Sequence, residues 1–275
     1  MNDITNILSL GAGVQSSTLA LMAAAGEIRP MPNFGIFSDV GNEPTSVYKW
    51  LDYLTPLLPF PIYIVKRPGK ILSESELEIK LSGKSGKYYR KSMIPAFTRN
   101  PDGSIGMLRR KCTQEFKIQP IVRNTRTLAS IPRGAKVVHV SQWIGISMDE
   151  ASRMKPSPHK YIKHRWPLIE QRMTRQDCLD WMKASGYPQP PRSACTFCPY
   201  HSDAEWSRLK TEEPSSFASA VQHEKDIQAA TLKCEVTKGT PYLHRSCIPI
   251  DQVVFVRGGK QLNMFENECE GMCGL

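Results

Sequence analysis

The sequence predicts an α/β protein in which strands and helices alternate to form a doubly wound, mostly parallel, Rossmann-like sheet. The apolar run 7–10 leads into Gly11-Ala12-Gly13 and then into an apolar stretch at helical spacing, as in a strand, a tight turn and a helix. Further short apolar runs predict strands at 34–37, 62–65, 137–140 and 143–146. Ligands of such sheets bind outside the carboxyl ends of the strands, where residues 11–17 are expected to lie.

Local signals place the helices between and after these strands. Val47, Trp50, Leu51 and Leu54 form one apolar face after Pro44, a residue suited to a first helical turn. Thr174 and Asp177 have the spacing of a capping box, opening a helix that ends at Gly186. Ser202 and Glu205 repeat that signature.

Residues 82–111 do not fit the alternation, because they combine lysines, arginines, tyrosines and glycines. We interpret them as a basic excursion or loop. Contact with a phosphate backbone or with bases is one reading, and a solvated surface loop is the other.

The composition limits the class of protein. The chain has 275 residues, 40% of them hydrophobic, and a formal net charge of +10. No apolar run approaches the roughly 20 residues of a membrane helix. We therefore expect a cytoplasmic protein that does not enter membranes and whose partners are anionic, either nucleotides or nucleic acid.

Residues 11–17 are a candidate phosphate-binding loop. The nucleoside-triphosphatase pattern needs a lysine that this loop lacks, and the dinucleotide fingerprint needs a third glycine where Ser16 stands. What remains is a loop whose backbone N–H groups, with the hydroxyls of Ser16 and Ser17, would surround a phosphate. A plain tight turn into a helix is the alternative.

The eight cysteines include one close pair, Cys195 and Cys198, in the sequence CTFCP. In a reducing compartment such a pair binds a metal centre or performs dithiol redox chemistry, and it can also be ordinary core. Zinc and an iron–sulfur cluster both accept thiolates at this spacing.

Several segments together resemble the adenine nucleotide α-hydrolase superfamily. SLGAGVQSS resembles its PP-loop, S-G-G-x-D-S, with Gly13 and Ser16 matching and Gln15 replacing the aspartate. FSDVGNE resembles the motif D-T-G-x-E-F-P-E-T at the second strand end, which contains Asp39. GISMDEASRM, which ends in Arg153 and Met154, and PLIEQRMTRQDCLDW resemble two blocks of the phosphoadenylyl-sulfate (PAPS) reductases.

The resemblance implies a nucleotide site. It assigns nucleotide binding to the loop, with ATP or adenylyl sulfate as ligand, and it places Asp39 near the ribose or phosphates and Arg153 on anionic oxygen. Because the missing aspartate would help to handle Mg²⁺, Gln15 makes ATP cleavage the open question. The nucleotide-binding residues implied are Gly11, Ala12, Gly13, Gln15, Ser16, Ser17 and Asp39.

The resemblance also implies a [4Fe-4S] cluster. KCTQEFKIQPI is similar to the reductase pattern C-C-x-x-R-K-x-x-P-L, so Cys112, Cys195 and Cys198 carry over as ligands, with Lys111 in place of the first cysteine of that pattern. Cys269 is our candidate for the fourth ligand; Cys273, Cys247 or an open iron are the alternatives. The terminal CGL resembles the reductases' E-C-G-L-H, which makes Cys273 the candidate nucleophile.

The expected function is therefore sulfur chemistry on an adenylylated species, either reduction of adenylyl sulfate or sulfur transfer. An ATP pyrophosphatase that thiolates tRNA or phosphorothioates DNA is the alternative, and a non-catalytic nucleotide- or nucleic-acid-binding module is a second one. We expect an adenine nucleotide-binding domain over 1–200, with a basic insertion near 82–111, and a helical, cysteine-containing region over 201–275. The sequence leaves the oligomeric state open.

Overall fold

A computed structural model describes residues 4–236 and 239–255. The ten strands of these ranges are β1 Thr5–Leu10, β2 Phe34–Ser38, β3 Ile62–Val65, β4 Ile79–Leu81, β5 Tyr88–Arg90, β6 Phe97–Arg99, β7 Ile105–Met107, β8 Val140–Ile144, β9 Ile162–Arg165 and β10 Thr240–Tyr242. Their eight α-helices are α1 Val14–Ala24, α2 Thr45–Leu54, α3 Leu72–Glu76, α4 Gln119–Leu128, α5 Pro167–Glu170, α6 Arg175–Ala184, α7 Asp203–Glu212 and α8 Pro214–Leu232. A π-helical turn, Thr113–Ile118, leads into α4.

Five strands form an all-parallel central sheet in the order β3-β2-β1-β8-β9. The chain builds outward from β1 to β3 on one side and from β8 to β9 on the other, so the strand order reverses between β1 and β8. This confirms the doubly wound α/β fold, and it makes the gap between the carboxyl ends of β1 and β8 the topological switch point.

Helices cover both faces of the sheet. Because successive side chains of a strand point to opposite faces, Leu8 and Leu10 of β1 pack with α1, α2 and α6, while Ile7 packs with Ile118 and Ile121 on the other face. The predicted helix starts are confirmed: Thr174 caps α6 reciprocally with Asp177, and Ser202 accepts a hydrogen bond from the Glu205 amide.

One prediction about the sheet was wrong. The runs 137–140 and 143–146 form one strand, β8, rather than two. Val137 is 63% exposed, and pairing with β1 begins at Val140 and ends at Ile144. Apolar character at 137–138 thus reflects surface residues ahead of the strand, and Gly145 follows its end.

The basic stretch 82–111 is also more ordered than a loop. β5 pairs with β4, and β6 and β7 form a second small antiparallel sheet with β10. The stretch is held by a buried ion pair between Arg90 and Glu76, and Glu76 also accepts hydrogen bonds from the amides of Met93 and Ile94. The Met93 carbonyl in turn accepts the amide of Cys112 at 2.9 Å.

Helices α7 and α8 pack against the cysteine-containing segment. Trp206, Leu209 and Phe217 share one buried cluster with Cys195, Cys198 and residues of the segment 93–116. The core of the described C-terminal residues is therefore continuous with that of earlier segments, and a boundary at residue 200 stays a prediction. No helix within the described ranges is long and apolar enough to cross a membrane.

We expect Glu76→Ala to lower the free energy of unfolding by about 3–5 kcal/mol, because it leaves the buried Arg90 guanidinium without its counter-charge. Denaturant titration checks this. Glu78→Ala is the matched control, since its contacts are to the exposed Lys70 and Lys80, and it should leave the midpoint unchanged. Equal destabilisation by both variants would contradict the role given to Glu76.

Candidate functional site

The candidate phosphate loop lies at the topological switch point. Ala12 has a left-handed backbone with φ of 61°, which turns the chain sharply after β1, and Gly13 is the N-cap of α1. All residues from 11 to 17 are buried. The helix dipole of α1 therefore points its positive end at the carboxyl edge of the sheet, the arrangement that favours an anion.

The polar side chains of the loop are held by protein partners. The Ser16 hydroxyl accepts the Gly11 amide at 3.1 Å, and the Ser17 hydroxyl accepts the indole N–H of Trp50 at 2.9 Å. The Ser16 hydroxyl also donates to the Gly13 carbonyl at 3.4 Å, so it would have to turn its O–H away from that carbonyl to reach a phosphate. The Ser17 hydroxyl can donate to a phosphate oxygen while it still accepts from Trp50, and the N-terminal amides of α1 keep their favourable direction.

Gln15 carries a charge-assisted hydrogen bond. Its side-chain oxygen accepts from the guanidinium of Arg175, the first residue of α6, at 2.7 Å. The amide nitrogen of Gln15 donates to the Ser147 hydroxyl at 3.5 Å. Arg175 is a partner that the sequence did not reveal. A carboxylate at position 15 would pair with this arginine as an ion, so the neutral amide leaves more of its positive charge uncompensated beside the loop.

Two other segments close over the loop. A Cβ added at Gly145, just after β8, would lie 2.9 Å from the amide nitrogen of Ser16 and 3.0 Å from its Cα. On the opposite side the Ser193 hydroxyl donates to the carbonyl of Gly11. The GIS sequence after β8 therefore needs glycine for close backbone approach.

Asp39 directly follows β2 and is a buried carboxylate with three donors. It accepts from the Gly41 amide at 2.7 Å and the Tyr48 hydroxyl at 2.8 Å, and Lys66 lies 3.0 Å away. Burial by itself would raise the pKa of Asp39, but these hydrogen bonds and Lys66 hold it below its ordinary value. The structure thus presents Asp39 as an anion at the end of β2, next to the neighbouring strand's loop.

Arg153 lies in the 3₁₀ helix Met148–Arg153 that follows the switch-point glycine. Its guanidinium is 2.7 Å from Glu150, whose pKa burial raises despite the arginine. Asp149 of the same helix accepts the amide of Arg175 at 3.0 Å. The segment carrying Arg153 is therefore joined to the start of α6, and through Arg175 to Gln15.

The three predicted cluster ligands in the described residues converge. Cys112, Cys195 and Cys198 line one small cavity, of about 10 Å³, together with Arg110 and Lys117. None of the three is in a disulfide. The described residues contain no group of three His, Cys, Asp or Glu side chains arranged to hold a single metal ion. Since 10 Å³ is about the room of one water, a cluster would require the thiols to move apart.

The segment with CTFC is fastened to the strand ends. The amide and the hydroxyl of Thr196 both donate to the carbonyl of Asn42, at 2.8 and 3.0 Å. Together with the bond from Ser193 to Gly11, this places the cysteine cavity beside the carboxyl ends of β1 and β2.

The other cysteines lie elsewhere. Cys178 is buried in the core on α6, and Cys247 is buried outside the lining of the three-cysteine cavity. Cys269 and Cys273, the predicted fourth ligand and nucleophile, lie outside the described residues.

Lys117 and Glu43 connect the cysteine cavity with the nucleotide edge of the sheet. Lys117 also lines a second small cavity, formed with Gly11 and Ser38 at the ends of β1 and β2. Its ammonium group is 3.4 Å from the fully buried carboxylate of Glu43, which has no hydrogen-bond donor among the described residues. Both residues belong to the motifs quoted above, but their pairing has no local sequence signal.

A larger cleft of about 770 Å³ opens on the α1 side of the loop, lined in part by Lys49, Trp50, Tyr53, Arg175 and Arg192. The sequence analysis missed this cleft entirely, because its walls come from α2, the start of α6, residues 188–193 and α7, which are far apart in the chain.

Comparison with known proteins adds little to this geometry. No protein-family model matches the chain, and no curated protein matches it significantly. One example represents the solved chains that resemble it. This is the U34-tRNA thiolase NcsA from Methanococcus maripaludis with its [4Fe-4S] cluster, 13% identical, with a TM-score of 0.37 over 87% of this chain and 76% of that one. The fold assignment therefore rests on the strand order.

We expect Gly145→Ala to cost about 1–3 kcal/mol of stability and to weaken nucleotide binding, because its Cβ overlaps the Ser16 backbone. Thermal unfolding and ATP titration measure the two effects. Gly83→Ala is the control, since its Cβ would meet no described atom within 4 Å. If Gly145→Ala keeps the stability and ATP affinity of the wild type, the loop backbone moves aside without cost and the prediction is wrong.

Proposed function

We propose that the protein is an iron–sulfur enzyme of the adenine nucleotide α-hydrolase superfamily that transfers sulfur to an adenylylated nucleic acid. One observation carries the proposal: Cys112, Cys195 and Cys198 share a cavity fastened, through Ser193 and Thr196, to the ends of the strands that hold the candidate nucleotide loop. Sulfur and nucleotide chemistry would then take place at one edge of the sheet.

The donor set fits an iron–sulfur cluster. Such clusters are held by cysteine thiolates, and these three thiols lie in an otherwise apolar cluster and line one cavity with Arg110 and Lys117. Cys269 is the proposed fourth ligand. When bound, such a cluster would supply an iron at which hydrosulfide can be held.

The reaction proposed needs no change in oxidation state. A carbonyl oxygen of the acceptor base attacks the α-phosphorus of ATP and pyrophosphate leaves. Hydrosulfide then attacks the base carbon that carries the adenylylated oxygen, and AMP departs with that oxygen. The α1 N-terminus would hold the departing pyrophosphate, and the cations Arg175, Arg153 and Lys117, each already engaged by a protein partner, would help to offset its charge. Magnesium on the pyrophosphate would assist, with Asp39 near it.

Reduction of adenylyl sulfate is the second candidate, favoured by the resemblance of the terminal CGL to the E-C-G-L-H of the reductases. In that reaction the Cys273 thiolate attacks the sulfate sulfur and AMP leaves. A second thiol then displaces sulfite and forms a disulfide, which an external dithiol must reduce.

Protein purified without oxygen should contain iron and acid-labile sulfide and absorb visible light. Cys195→Ser should lose most of the iron, because it removes a ligand from the shared cavity. Cys234→Ser is the control, since Cys234 does not line this cavity and donates to the carbonyl of Ala230 at the end of α8. A colourless, zinc-containing wild-type protein would overturn the cluster.

The two reactions are separated by their products. With ATP and unmodified tRNA, the transfer enzyme should form AMP and pyrophosphate and incorporate labelled sulfide into the tRNA. With adenylyl sulfate and a dithiol, it should release no sulfite. Sulfite release in the absence of nucleic acid would support the reductase instead.

A further inference from the structure

We propose that the 770 Å³ cleft beside the loop is a second nucleotide site, which takes one nucleobase with its phosphate. Its size is that of a small-ligand pocket, and it is lined by groups from four separate elements. As an acceptor site this inference rests on the proposed function. As a binding site it rests on the cleft alone.

The first argument is that aromatic side chains line one part of the cleft. Trp50 and Tyr53 of α2 lie with their ring centroids 5.3 Å apart, and Tyr53 is 40% exposed while Trp50 is buried. The prolines at 188, 190 and 191 also line the cleft. Aromatic faces of this kind stack bases of any sequence, whereas an acidic peptide would need only the charges.

The second argument is charge. Four cations, Lys49, Arg175, Arg192 and Arg208, line the cleft against two carboxylates, Glu205 and Glu212. Arg208 is engaged by Glu205 and Glu213, and Arg192 donates to the carbonyl of Tyr200 at 2.8 Å. Lys49 is exposed and one turn from Tyr53 on the same face of α2, so an ammonium and a ring are presented together, as a phosphate and its base require.

The third argument is the direct link to the loop. Three cleft-lining residues make hydrogen bonds to it: Trp50 to Ser17, Arg175 to Gln15 and Ser193 to Gly11. A nucleotide in the cleft would therefore be one side chain away from the nucleotide at the loop. For transfer, the carbonyl oxygen of the acceptor base would have to reach past these side chains to within about 3.5 Å of the α-phosphorus.

The test measures binding of a short fluorescein-labelled single-stranded RNA by anisotropy. Tyr53→Ala and Lys49→Ala should each raise the Kd by about tenfold, and Lys49→Ala should also reduce the slope of log affinity against log salt by about one. The matched controls are Tyr63→Ala, 41% exposed on β3, and Lys225→Ala, on α8. Both controls should bind as wild type.

Competition by free UMP and by polyglutamate identifies the ligand. If UMP competes with RNA on the wild-type protein and Tyr53→Ala weakens the binding of both, the cleft takes one nucleobase with its phosphate. Polyglutamate competing as well as RNA, or cleft variants that bind RNA and UMP like wild type, would overturn the proposal. Iron content is measured in the same samples. If RNA binding is weakened only in the cleft variants, the nucleotide site is supported even where no sample contains iron and the proposed function fails.

Discussion

The fastening of residues 193–196 to the ends of β1 and β2 is the interaction on which the candidate site depends. Ser193 donates to Gly11 in the loop, and Thr196 donates twice to the carbonyl of Asn42 after β2. These bonds cross from a late segment of the chain to its first two strand ends. They place a pair of thiols at the same edge of the sheet as the N-terminus of α1. The acceptors are backbone carbonyls that lie beyond the strand ends and so are not used by the sheet.

Elsewhere in the described residues, buried carboxylates are accompanied by cations and hydrogen-bond donors that offset their charge. Asp39 is met by Lys66, Tyr48 and a backbone amide, and Glu76 is met by Arg90 and two amides. Burial would otherwise make each carboxylate costly. The Glu76 set holds the segment from which Met93 positions Cys112, so the third thiol depends on an ion pair whose two side chains do not line the cavity. The Glu43–Lys117 pair differs, since within the described ranges no other donor reaches the carboxylate, and Lys117 lines two cavities.

The sequence predicted the parts whose signals are local. Helix starts at Thr174 and Ser202 followed from side chains that cap amides three residues away, and the strand–turn–helix at the loop followed from apolar periodicity. Prediction from the sequence failed where tertiary contacts outweigh the local hydrophobic pattern. Val137 and Val138 are apolar yet precede the strand, since β8 begins where β1 offers a partner, and the basic stretch is ordered by Glu76 and by β10.

By itself, then, the sequence determined the alternation of strands and helices, the position of the loop and the cysteines that could meet. The tertiary structure alone decided that Arg175 bonds to Gln15 and that four distant elements enclose a cleft beside the loop. The physical reason is that periodicity and capping act within a few residues. Contacts between segments far apart in the chain depend instead on the order in which the crossover connections place the strands in the sheet. They also depend on which backbone groups at the strand ends remain without a partner in the sheet.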